Sequence, residues 1–104
     1  MMGYTINRTE KASDQLHEII QYIAADSGSV EIALSYLGKL ERAIMLLCDQ
    51  PNMGRVPRYL ALKRQGYRVL IVERHLVFYK VDDAARTVTI HAVVDGRREY
   101  RNLI

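Results

Sequence analysis

The chain has 104 residues, of which 26% are charged and 49% hydrophobic, with a formal net charge of +3. That balance suits one folded domain spanning residues 1–104 and excludes a disordered, low-hydrophobicity polymer. No apolar run approaches the roughly 20 residues of a membrane span, and the lone Cys48 excludes an intramolecular disulfide and a cysteine-based zinc site.

In chain order, Tyr4, Thr5 and Ile6 alternate and predict a short strand. Met1 and Met2 each offer a start, and no basic, apolar leader precedes Gly3, so export is not expected and a cytoplasmic location is. Thr9 is a suitable helix cap, and Glu10 would meet the positive end of the helix dipole. Leu16, Ile19, Ile20 and Ile23 then follow an i, i+3, i+4, i+7 stripe, predicting a helix over residues 10–26. Ser27-Gly28-Ser29 breaks it, and Ser29 caps a second helix whose Ala33, Leu37, Leu40, Ile44 and Leu47 fall at 4-3-4-3 spacing. So short a connection makes the two helices an antiparallel hairpin, ended by Pro51 and Gly54.

From Arg55 the period changes. Residues 51–65 read as a linker with two prolines, extended near Val56-Pro57-Arg58-Tyr59-Leu60. Apolar and β-branched runs at 67–72, 75–81 and 87–94 alternate with short turns at Glu73-Arg74 and 82–86. They predict a three-stranded antiparallel meander. The whole is an α+β fold in the order β-α-α-β-β-β, with the helices on one face of the sheet.

Few residues invite chemistry. There is no phosphate-gripping glycine loop, no HExxH pair and no nucleophile elbow, and His17, His75 and His91 lack helical ligand spacing. No metal or cofactor is implied. His17 falls beside the apolar stripe and reads as exposed, Cys48 as a small core residue, and Asp82 and Asp83 as turn formers. His75 and His91 sit in strands and would project onto the sheet surface away from the helices. The bland assignment is a partly exposed strand histidine, and the alternative is a general base or acid. Arg68, Arg97, Arg98 and Arg101 could clamp phosphates, while Tyr100 could stack on a base or donate a proton. Against that stands a solvated tail with one aromatic anchor, although such a tail has no use for Leu103 and Ile104, which would instead fold back as an apolar tether.

Taken together, several segments resemble the RelE/ParE superfamily, the toxins of bacterial type II toxin–antitoxin pairs. The resemblance is carried by the two apolar helices, Gln50-Pro51-Asn52-Met53-Gly54-Arg55, Tyr67-Arg68-Val69, His75-Leu76-Val77-Phe78-Tyr79-Lys80-Val81, and the stretch from Val88 through Asp95-Gly96-Arg97-Arg98-Glu99-Tyr100. It implies a growth-inhibiting toxin neutralised by a cognate antitoxin, held with it in a hetero-oligomer. The antitoxin would lie in the groove between hairpin and sheet, with Arg68, Val69, Ile71 and Phe78 among its contacts. It also implies one of two targets. The RelE-like branch cuts mRNA on the ribosome, which would give Arg97, Tyr100, His75 and His91 catalytic roles. Leu76 and Leu70 stand where that branch carries basic residues, and Tyr100 lies closer to Arg97 than the pattern asks. The ParE-like branch poisons DNA gyrase without a nuclease centre, and the long second helix and His75-Leu76-Val77-Phe78-Tyr79 resemble it more closely. Arg68, Arg97, Arg98 and Arg101 are the target-contact candidates in either case.

Overall fold

A computed structural model describes residues 3–104; the reading of Met1 and Met2 lies outside them. Strand β1 (Thr5–Arg8) leads into helices α1 (Glu10–Ser27) and α2 (Val30–Met45), the latter extended by a 3-10 turn at Leu46–Cys48. A short helix α3 (Leu60–Arg64) precedes strands β2 (Arg68–Val72), β3 (His75–Asp82) and β4 (Thr87–Asp95), and a 3-10 turn at Arg101–Leu103 follows.

The hairpin starts and turns where its polar residues dictate. Thr9 Oγ1 accepts a hydrogen bond from the Ala12 N–H at 3.1 Å, and Ser29 Oγ accepts from Ile32 N–H at 3.2 Å, so each helix has a donor of its first turn satisfied. Gly28 closes α1 at φ 70°, a left-handed conformation that costs glycine little. Ala33, Leu40, Ile44 and Leu47 of the expected seam are buried, and Leu37 is half-buried against the same core.

The meander forms as expected, β2 antiparallel to β3 and β3 to β4. It is not the whole sheet. The strand order is β1-β4-β3-β2, with β1 parallel to β4 from Thr5↔Thr87 to Arg8↔Ile90. The expected three-stranded antiparallel sheet is therefore a mixed four-stranded one, because the helical hairpin returns the chain far enough for the first strand to line up beside the last. A second departure is α3, which occupies part of the expected linker: Leu62 is buried, and its packing stabilises one and a half turns that propensity alone would leave unformed.

Each face of the sheet carries a core. Between sheet and hairpin lie Leu16, Leu40, Ile44, Leu47, Tyr79 and Ile90, among others. On the opposite face Leu62, Val69, Phe78, Ala92 and Val94 are buried under Tyr59, Tyr67, Tyr100 and Ile104. The pairing Tyr79↔Ile90 steps to Phe78↔Ala92, which leaves His91 as the extra residue of a bulge in β4. No helix among the described residues is long and apolar enough to cross a membrane.

Candidate functional site

The arginine-rich end of the chain leaves the sheet beside the turn between β2 and β3. Gly96 N–H donates to Arg74 O at 2.8 Å, and a Cβ at Gly96 would sit 3.2 Å from that same oxygen, so the exit of β4 is pressed against the hairpin turn. Asp95 then takes hold of Arg97. Its carboxylate accepts from the Arg97 backbone N–H at 2.9 Å, from Nε at 3.2 Å and from Nη2 at 3.1 Å. Those bonds to the charged form pull the Asp95 pKa down to about 2. Glu99 repeats the arrangement with Arg101, at 3.0, 3.1 and 3.1 Å. Arg97, Arg98 and Arg101 are all exposed.

His75 overturns its expected placement. It does not project away from the helices: it is 3% exposed and its Nδ1 lies 2.6 Å from the hydroxyl of Tyr36 on α2. Alternation along β3 requires this, since Val77 and Tyr79 face the hairpin and His75 shares their parity. The polar face that the expectation assumed does not exist, because α3 and the tail cover the other side of the sheet. The Tyr36 hydroxyl also lies 3.4 Å from Val72 O, but its one proton goes to the shorter contact. That assignment, inferred from the hydrogen-bond pattern, leaves the imidazole proton on Nε2. Burial lowers the His75 pKa most, Asp95 opposes it, and Arg74 and Arg97 add to the lowering. His75 is thus neutral at pH 7.

The other candidates are on the far face, on strand β2 or in the tail. His91 meets Tyr67 edge-on at 5.4 Å, and burial followed by Lys80 and Lys11 lowers its pKa. Tyr100 packs against Phe78 at 5.5 Å and Tyr59 at 5.7 Å, and burial raises its pKa. Arg101 lies over the Tyr59 ring at 4.7 Å. Arg68 donates from Nη1 to Gly54 O at 2.8 Å and Asn52 O at 3.2 Å, holding the loop that ends the hairpin. On β2, Val69 exchanges two backbone bonds with Arg55, Ile71 is 50% exposed, and Phe78 behind them on β3 is sealed at 1%.

The structure therefore brings His75, Asp95 and Arg97 together and sets Tyr100 and His91 on the other side of the sheet. The first group opens onto a groove of 720 Å³ between α1 and the end of β4, walled also by Tyr22, Arg74 and Arg98. Tyr36, Arg74 and Gln15 were not singled out from sequence. Tyr36 precedes the seam residue Leu37, and nothing local marks it as the partner of a histidine 39 positions away. Among the described residues no group of three or more His, Cys, Asp or Glu side chains could hold a metal ion.

Comparison with known proteins adds a family. The family described as the ParE toxin of the type II toxin–antitoxin system parDE matches residues 6–100. Among solved structures, the chromosomal ParDE toxin–antitoxin system from P. aeruginosa superposes with a TM-score of 0.73 at 19% identity, covering 88% of this chain and 95% of that one. The toxin–antitoxin complex RelBE2 from Mycobacterium tuberculosis gives 0.61 at 23% identity, covering 91% and 93%. Both likenesses are of fold. A search of curated protein sequences finds no match.

Proposed function

The chain belongs to the ParE toxin family of type II toxin–antitoxin systems, and from that premise we propose that it arrests growth by binding DNA gyrase, without cutting RNA, until a cognate antitoxin neutralises it. One observation carries the choice of target: His75 and Tyr100 face opposite sides of the sheet. Cleavage through a 2′-hydroxyl needs a base, an acid and cations around one phosphate, with the base within about 3 Å of the proton it takes. Here one base candidate, His75, is buried and already accepts from Tyr36, while the acid candidate Tyr100 is packed among aromatic rings on the other face. The second base candidate, His91, shares that face but is half-buried edge-on against Tyr67, away from the groove that holds Arg74, Arg97 and Arg98. Nothing comparable hinders a protein-binding role. Arg97, Arg98 and Arg101 form an exposed basic edge that charge complementarity could steer onto a target.

The antitoxin would use two surfaces. The groove beside α1 has Arg74, Arg97 and Arg98 on its walls and suits a segment with acidic side chains. The outer edge of β2 offers a second: Val69 already pairs with Arg55 there, so Ile71, of the same parity, directs its backbone groups outward beside an exposed side chain. Arg68 borders this edge, and Phe78 supports it from within. The action on gyrase makes the cytoplasm the site of function.

The mRNA-cleaving reading has one observation in its favour, the three arginines around His75 in the groove. One pair of assays separates the two. Purified protein should inhibit gyrase supercoiling and accumulate cleaved DNA, while transcripts in a reconstituted translation reaction stay intact. Unaffected gyrase together with cut transcripts would sink the proposal.

A further inference from the structure

β1 pairs with β4 only as far as Ile90, so among the described residues the backbone of β4 beyond it has no strand on that side. One side chain stands in for the missing strand. Gln15, on α1, places Oε1 2.8 Å from the Val93 N–H and Nε2 2.8 Å from the carbonyl of Leu103. The amide is an acceptor toward the strand and a donor toward the tail, joining residues 78 and 88 positions away. Those two opposite demands fix which end is oxygen and which nitrogen. No carboxylate or hydrocarbon of the same shape meets both.

The tail has further attachments: the Tyr100 ring against Phe78 and Tyr59, Arg101 over the Tyr59 ring, and Ile104 packed on the second core. All are ring or apolar contacts across the sheet from α1. Gln15 is the polar attachment on the helix side, and it shares the groove wall with Arg97 and Arg98. We infer that Gln15 is a positioning residue: its amide stitches the C-terminal segment to α1 and β4, and so fixes the direction in which Arg97, Arg98 and Arg101 meet the target. The inference rests on the reading that this basic segment is the target-contact edge.

Gln15→Ala and Gln15→Glu divide the two bonds. The glutamate still accepts from Val93 but turns a carboxylate toward the Leu103 carbonyl. Amide hydrogen exchange reports each bond separately, through Val93 itself and through Leu103, whose N–H is bonded to Tyr100 O at 2.8 Å. In Gln15→Ala both amides should exchange faster by about tenfold, the local protection lost with one hydrogen bond. In Gln15→Glu only Leu103 should. Gyrase inhibition should fall several-fold in both variants, with the folded far-ultraviolet spectrum retained. Unchanged exchange at Leu103 in both variants overturns the positioning role. Faster exchange with undiminished gyrase inhibition establishes that the tether exists and overturns its link to the target edge. If wild-type protein fails to inhibit gyrase at all while the exchange pattern holds, the tether stands and the gyrase reading falls.

Discussion

Tyr79 offers the sharpest test of how the loop after the hairpin is anchored. Its ring is fully buried in the core beneath the helices, and its hydroxyl accepts from the Gly54 N–H at 2.9 Å. Tyr79→Phe removes one oxygen and leaves that buried donor without an acceptor. The loop is not at liberty to swing the N–H into water, because Arg68 still grips Gly54 O at 2.8 Å and Arg55 still exchanges bonds of 2.8 and 2.9 Å with Val69. The cost is therefore that of a trapped unsatisfied donor, ~1–3 kcal/mol, with the middle of that range expected. For a chain of this size ~2 kcal/mol lowers the melting temperature by about 10 °C, out of a total stability of about 5–15 kcal/mol. Urea unfolding should show a lower midpoint at constant slope. Gly54→Ala probes the same junction from the other side, since a Cβ there collides with the Tyr79 hydroxyl and lies 2.8 Å from Tyr79 Cε1 and 2.9 Å from Val69 O. It should cost ~1–3 kcal/mol by overpacking, and the double variant should cost less than the sum because one collision is gone. A Tyr79→Phe protein within about 0.5 kcal/mol of the parent would refute the argument, by showing that the loop finds Gly54 another acceptor.

Thr9→Ala should cost ~1–2 kcal/mol in urea unfolding, since Thr9 Oγ1 caps α1 and also donates to His91 O at 3.3 Å. Acidification should weaken the fold in two stages. His75 has a lowered folded pKa, so its contribution is present above the unfolded value of about 6.5 and is lost as pH falls through the folded one; His75→Gln should flatten the stability profile just below about pH 6.5. Asp95, folded at about 2 and unfolded near 3.8, adds a second loss between those values, which Asp95→Asn should remove. At the tail, Tyr100→Phe should leave growth inhibition unchanged while Tyr100→Ala weakens it, because the ring and not the hydroxyl makes the contacts to Phe78 and Tyr59; equal losses in both variants would point to proton transfer instead.

The sequence made local features legible and left long-range ones unreadable. Thr9 and Ser29 announced both helix starts, and the spacing of Leu40, Ile44 and Leu47 announced the buried seam, because caps and stripes are written within a few residues. The strands were equally plain from their β-branched runs. What failed were facts that need a partner. Nothing in Thr5-Ile6-Asn7-Arg8 says that it will pair in parallel with residues 87–90. Nothing in Leu60-Ala61-Leu62-Lys63-Arg64 promises a helix until Leu62 finds the underside of the sheet. The inward turn of His75 was accessible in principle: a strand reading His-Leu-Val-Phe-Tyr is apolar at both parities, which signals a strand covered on both faces. An imidazole in such a strand is enclosed whichever way it points. The bulge at His91 left no mark, since the residue is compatible with either an alternating or an interrupted strand.

The charge pattern of the final stretch bears on function differently once its pairs are seen. Two of the three arginines are matched by an acid two residues earlier, Asp95 with Arg97 and Glu99 with Arg101. This does not cancel the basic edge. Both guanidinium groups are more than half exposed, and solvent-screened pairs of that kind are weak, well below what a complementary acidic surface or a phosphate can return when it displaces the acid. The acids instead remove rotamer freedom: each arginine is held by its backbone N–H as well as its side chain, so its direction is set before any partner arrives. Ordering that would otherwise accompany binding has taken place in the folded chain, which favours affinity. The same geometry limits chemistry. An arginine already oriented by a carboxylate must shed that carboxylate before it can stabilise charge developing on a phosphate, and a carboxylate beside a scissile phosphate repels it. Neutralising Asp95 and Glu99 together should therefore raise affinity for an anionic partner only modestly in a binding protein, whereas in a nuclease it should accelerate turnover, and the comparison separates the two uses of one edge.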